Sequence, residues 1–107
     1  HRLATLRRWH SMGGVLVMSY SMFRAMINKP GEEGKKAQKF LQVPGPDLII
    51  ADEAHVLKNP RSQASSREKF FFCDVRTRRR LALTGSPLQN NLMEYFTMVD
   101  FVRKGIL

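Results

Sequence analysis

Two adjacent carboxylates, Asp52 and Glu53, follow directly on the apolar run Leu48-Ile49-Ile50. The run predicts a short strand buried on both faces, with the acids at its carboxyl end. In open α/β sheets that end is where ligands sit. Two acids there are costly unless a cation accompanies them, and Mg²⁺ carried by a phosphate group suits the place. Asp52 would hold the metal, usually through water. Glu53, pointing to the other side, would orient a water and take its proton as the water attacks a γ-phosphate. An apolar run ending in Asp-Glu is not rare, and acids at a strand end can simply mark a turn into solvent. The pair gains weight from its neighbours: Ala54-His55 complete DEAH, Lys58-Asn59 follow, and LTGSPLQNN begins at Leu83. That is about thirty residues on, an ordinary crossover to a neighbouring parallel strand.

The elements that must position these residues are legible in outline. Leu3, Leu6 and Trp9 or His10 recur at helical spacing, so residues 1–10 are expected to be a helix, ended by Gly13-Gly14. Val15 to Met18 reads as a buried strand. Ser19 or Ser21 caps the next helix, whose apolar face is Met22, Phe23, Met26 and Ile27. Glu32 to Gln42 reads as a charged surface segment with a short helix. Val43-Pro44-Gly45-Pro46 is a loop into the acidic strand. Ser62 to Phe72 is a further candidate helix. Arg78-Arg79-Arg80 reads as a solvated basic turn before the strand Leu81 to Leu83. A final helix is expected after the cap pair Asn91 and Glu94. Leu92, Tyr95, Phe96, Val99 and Val102 form its buried side, and Gly105 its end. Strand alternating with helix argues for an α/β fold on a parallel sheet of about three strands, with right-handed crossovers.

Composition sets limits. The chain has 107 residues, enough for one domain at most. Its 18 Lys and Arg against 9 Asp and Glu give a net charge of +9. Such an excess favours a polyanionic partner, nucleic acid or an anionic membrane surface. No run of about 18 apolar residues offers a membrane span. A single cysteine, Cys73, excludes an internal disulfide framework and fits a reducing compartment. The first residues, HRLATLRRWH, contain neither methionine nor a signal-peptide core, as in the interior of a longer protein.

DEAH at residues 52–55, LKN at 57–59, and RRRLALTGSPLQNNLMEY at 78–95 together resemble the first ATPase lobe of Swi/Snf-type chromatin-remodelling and DNA-translocating enzymes. These belong to the superfamily-two helicases. The wording around the third strand resembles the ATRX-like subgroup most, and VLVMSYSMFR at 15–24 is similar to the strand and helix that precede the acidic box there. The resemblance covers nearly the whole chain. It implies a partial RecA-like (P-loop NTPase) lobe, with residues 1–107 an internal fragment of a helicase ATP-binding domain. It implies ATP and Mg²⁺ as nucleotide and metal. Double-stranded DNA and nucleosomes would be partners, along with a second ATPase lobe of the same protein, and the location would be the nucleus.

By the same resemblance Glu53 is the catalytic base and Asp52 the metal-holding acid. His55 links the nucleotide site to the third motif, and Thr84, Gly85, Ser86 and Gln89 couple nucleotide state to grip on DNA. Lys58, Asn59, Ser19 and Tyr20 lie in stretches that face DNA or the cleft between lobes. The chain contains no G-x-x-x-x-G-K-[ST] phosphate loop, so the isolated chain is expected to be inactive although the intact protein hydrolyses ATP. Two other readings stay open here. One is an RNA helicase of the same superfamily, against which the absence of a Ser-Ala-Thr third motif speaks. The other is a non-catalytic basic nucleic-acid-binding module derived from the motor fold.

Overall fold

A computed structural model of the chain describes residues 2–54, 57, 74–85 and 92–103. In chain order these form α1 (Arg2–Met12), α2 (Tyr20–Ile27), α3 (Glu32–Leu41), β1 (Ile49–Ala51), β2 (Arg80–Ala82) and α4 (Leu92–Val102). They group into two compact units, one of residues 2–46 and 74–77, the other of residues 47–54, 57, 78–85 and 92–103.

In the first unit α1 stops at Gly13, whose amide donates to the Trp9 carbonyl, and the indole N–H of Trp9 reaches the Gly14 carbonyl. Both glycines have positive φ, which is why the helix ends there. Ser19 caps α2, its hydroxyl accepting from the Met22 amide at 3.1 Å. Phe23 and Ile27 are buried, with Met22 and Met26 half-buried beside them, as the spacing predicts.

The segment at 32–41 is more than a surface stretch. Gly34, Ala37, Phe40 and Leu41 form a buried stripe on α3, and the helix packs against both α1 and α2. Its charged residues hid this by occupying every other face. Glu32 and Glu33 sit in the first turn, where the helix dipole favours acids. Gly34 permits the close return from α2, since a Cβ there would lie 1.7 Å from the Lys29 carbonyl oxygen. The Gln38 side chain donates to the Ile27 carbonyl at 2.8 Å and so satisfies the end of α2. The exposed Lys29–Glu33 pair, 2.6 Å apart, holds the Glu33 carboxyl below its usual range, first through its hydrogen bond and then through charge.

The strand expected at Val15 to Met18 is not formed. Val15 is 90% and Val17 87% exposed, and the only strands among the described residues are β1 and β2, which pair with each other. An apolar run becomes a strand only where a ladder partner takes up its amides and carbonyls. The sheet among the described residues therefore has two strands, not three.

In the second unit β1 and β2 are parallel, with Ile49 opposite Arg80, Ile50 opposite Leu81 and Ala51 opposite Ala82. Only one face is covered. Ile49 and Ala51 are buried, whereas Leu48, Ile50, Leu81 and Leu83 are exposed, so burial on both faces does not hold. Among the α4 side chains described, Met98 and Phe101 are buried, while Leu92, Tyr95, Phe96 and Val102 are exposed. Glu94, Thr97 and Asp100 recur on one side, so periodicity favours the opposite face of Leu92, Tyr95 and Val99, and the packing of Met98 and Phe101 departs from it. Arg80 helps to choose the inner face. The guanidinium donates to the Phe101 carbonyl at 2.9 Å and lies 4.9 Å from the centroid of the Phe101 ring. Arg80 is thus a tie to α4 rather than part of a solvated turn. The candidate helix at 62–72 and the cap residue Asn91 lie outside what is described, and Glu94 falls in the first turn of α4. No helix among the described residues is long and apolar enough to cross a membrane.

Phe101, 2% exposed, and Leu92, 84% exposed, separate the two candidate faces of α4. Phe101→Ala is expected to cost about 3–5 kcal/mol, and Leu92→Ala less than about 0.5 kcal/mol. Urea denaturation of a protein carrying the chain measures both.

Candidate functional site

The acid pair owes its placement to the main chain of Leu83. The Leu83 amide donates to the Ala51 carbonyl at 2.9 Å, and the Leu83 carbonyl accepts from the Ala54 amide at 2.8 Å. With Ala51 opposite Ala82, Leu83 stands opposite position 52. A regular parallel ladder would then bring the amide of residue 53 to the Leu83 carbonyl. The amide of residue 54 arrives instead. One extra residue is inserted, and Asp52-Glu53 bulge outward between two ladder bonds.

The local chain shows how the insertion is accommodated. Glu53 has φ +51°, a left-handed conformation unusual for a residue with a Cβ and costing roughly 1–2 kcal/mol. Its amide, displaced from the ladder, donates to Asp52 Oδ1 at 2.9 Å. Ala54 is fully buried and accepts from the Leu57 amide at 3.0 Å, which anchors the far side of the bulge. Asp52 and Glu53 are both exposed at the carboxyl end of β1.

The loop after β2 comes to the same place. Thr84, half-buried, and Gly85, exposed, follow Leu83 directly. A Cβ built on Gly85 would lie 3.9 Å from Glu53 Oε1. The fold therefore brings together Asp52, Glu53 and Gly85, with Thr84 beside them in the chain. Ser19 and Tyr20 belong to the other unit, where Ser19 is the cap of α2 and Tyr20 its first, half-buried residue. His55, Lys58, Asn59, Ser86 and Gln89 lie outside the described residues.

The donor set suits one kind of metal. No group of three or more His, Cys, Asp or Glu among the described residues is arranged to hold an ion by itself. Mg²⁺ does not require such a cage, because it is commonly bound by one or two carboxylates, with phosphate oxygens and waters completing the shell. An exposed aspartate at a strand end fits that requirement. Sequence reasoning missed Leu83 and Ala54, which act through backbone groups that side-chain types do not advertise.

The geometry is that of an α/β unit with an acid pair at the carboxyl end of one strand of a parallel pair, the end at which ligands of open α/β sheets sit. Residues 3–107 match the family model of the SNF2-related domain, and the chain belongs to that family. It is 43% identical over 109 residues to Protein CHROMATIN REMODELING 20 of Arabidopsis thaliana, covering 99% of this chain and 7% of that protein. It is 40% identical over 111 residues to the Transcriptional regulator ATRX homolog of Drosophila melanogaster, covering 99% and 8%. It is 41% identical over 106 residues to Transcriptional regulator ATRX of Homo sapiens, covering 95% and 4%. The chain thus spans less than a tenth of the length of these relatives, and its likeness to the ATRX-like subgroup extends over almost all of its own. No solved structure matches it significantly.

The left-handed backbone at position 53 predicts a trade of stability against activity. Glu53→Gly removes the φ penalty but adds flexibility to the unfolded chain, for a net gain of about 0.5–1 kcal/mol. The urea midpoint should rise. A lower midpoint would contradict the conformation at Glu53.

Proposed function

We propose that this chain is part of a DNA-dependent ATPase motor, corresponding to the second half of a first RecA-like lobe, in a nuclear protein that translocates on duplex DNA or remodels nucleosomes. The observation that carries the reading is the bulge, which sets Asp52 and Glu53 side by side at the end of β1 with Gly85 against Glu53. Family membership supports it independently.

In this reading Asp52 holds the metal, through water, beside the triphosphate. Glu53 orients the attacking water and accepts its proton. Mg²⁺, held there by Asp52, would supply positive charge against the charge that develops on the phosphate. Thr84 and Gly85, with Ser86, Gln89 and His55, pass the state of the nucleotide to the DNA-gripping parts of the motor. Because Leu83 grips both sides of the acid pair, a shift in the loop that follows it would be felt at Glu53. The net charge of +9 supports a polyanionic partner, held by phosphate contacts without sequence preference. Ser19, with its hydroxyl in a helix cap, would position Tyr20 rather than contact DNA through that hydroxyl. Lys58 and Asn59 remain candidates for DNA contact, and a second ATPase lobe would complete the site.

Glu53→Gln and Asp52→Asn in the intact protein test these roles. Gln is nearly isosteric with Glu but a far weaker proton acceptor. ATP binding should stay close to wild type, and DNA-stimulated hydrolysis should fall by about 10²–10⁴. Asp52→Asn weakens the hold on Mg²⁺, so nucleotide affinity should drop along with the rate. Normal hydrolysis by Glu53→Gln with duplex DNA present, or stimulation by RNA in place of DNA, would contradict the reading.

A further inference from the structure

Inserting one residue opposite Leu83 has a cost that a metal-holding role for Asp52 does not address. The Glu53 amide would pair with the Leu83 carbonyl in a regular ladder, and here that carbonyl is taken by Ala54. A left-handed residue has no ladder position for its amide, yet its conformation must be held for its side chain to point one way. The group that receives this amide is Asp52 Oδ1, at 2.9 Å. A carboxylate accepting a backbone N–H makes a stronger bond than a neutral acceptor does.

We propose that Asp52 is a positioning residue for Glu53: its carboxylate accepts the Glu53 amide and so fixes the left-handed turn that aims the Glu53 side chain toward Gly85. The two acids then act in series. One oxygen of Asp52 holds the backbone of the base, while the carboxylate as a whole serves the metal. The consequence for hydrolysis rests on reading Glu53 as the base, whereas the bond itself does not. Asp52→Asn retains an acceptor oxygen at the same place, and Asp52→Ala retains none. In the nucleotide-free protein, where metal-holding plays no part, loss of charge is common to the two substitutions, so a difference between them at the Glu53 amide reports the positioning role.

The test is hydrogen exchange at the Glu53 amide in the nucleotide-free intact protein, resolved to single amides by fragmentation mass spectrometry. In the wild type this exposed amide should exchange about tenfold or more slowly than its intrinsic rate, as expected of a hydrogen bond of ordinary net strength. Asp52→Asn should remain within about threefold of wild type, and Asp52→Ala should exchange about tenfold faster. The Leu83 amide, held by the Ala51 carbonyl, should be unchanged in both and reports that the sheet has folded. Exchange of the wild-type Glu53 amide at its intrinsic rate would overturn the proposal, and this needs no variant to fold. Equal exchange in the Asn and Ala variants would overturn it too. If the exchange pattern holds while Glu53→Gln hydrolyses ATP normally, positioning stands and the ATPase reading fails. If Glu53→Gln is inactive and the exchange pattern is absent, the reverse is true.

Discussion

Leu83 holds the site together with its main chain. Its amide and carbonyl bond residues 51 and 54, two positions that a regular parallel strand would not present to one partner residue. The offset pushes Asp52 and Glu53 out of the ladder and forces Glu53 to positive φ. It also frees the amide that Asp52 takes up. Thr84 and Gly85 are the next residues along, so the loop and the acid pair share one backbone anchor. The Leu83 side chain is exposed and takes little part in this, which is why the residue drew no notice as a candidate.

Around that anchor the second unit uses apolar surface sparingly. Ile49 and Ala51 are buried on one face of the pair, as are Met98 and Phe101 on α4. Arg80 ties α4 to β2 through a carbonyl and an aromatic face at once, joining hydrogen bond and cation–π contact in one side chain. The first unit is organised differently. Its three helices meet on α3, where a stripe of small and large apolar residues lies beneath an otherwise charged surface.

Much of this was legible in the sequence. The acid pair, the parallel strand pair, the Ser19 cap and the glycine stop of α1 follow from residue types whose local physics is strong: carboxylates after an apolar run, a hydroxyl before a helix, glycine where φ must be positive. Errors arose where tertiary context decides. Val15 to Met18 has the composition of a strand but no ladder partner among the described residues. The inner face of α4 departs from its pattern: Glu94, Thr97 and Asp100 recur on one side and favour the opposite face, whereas Phe101, tied to Arg80, and Met98 are the residues buried. Ala37, Phe40 and Leu41 mark a short helix at α3 in the sequence, but Glu and Lys dominate its composition and suggest a surface segment, whereas those three residues and Gly34 are buried. Arg80 was placed with its two arginine neighbours by adjacency, whereas the structure sets it apart through Phe101. The bulge itself could not be read, because the choice between residue 53 and residue 54 as donor to Leu83 lies in main-chain register alone.

That choice can be measured directly. In an isotopically labelled protein carrying the chain, scalar coupling across a hydrogen bond reports which amide nitrogen is bonded to which carbonyl carbon. The bulge predicts coupling from the Ala54 nitrogen to the Leu83 carbonyl and from the Leu83 nitrogen to the Ala51 carbonyl, with none between the Glu53 nitrogen and Leu83. Coupling from the Glu53 nitrogen to the Leu83 carbonyl would mean a regular ladder, and the placement of the acid pair described above would be wrong.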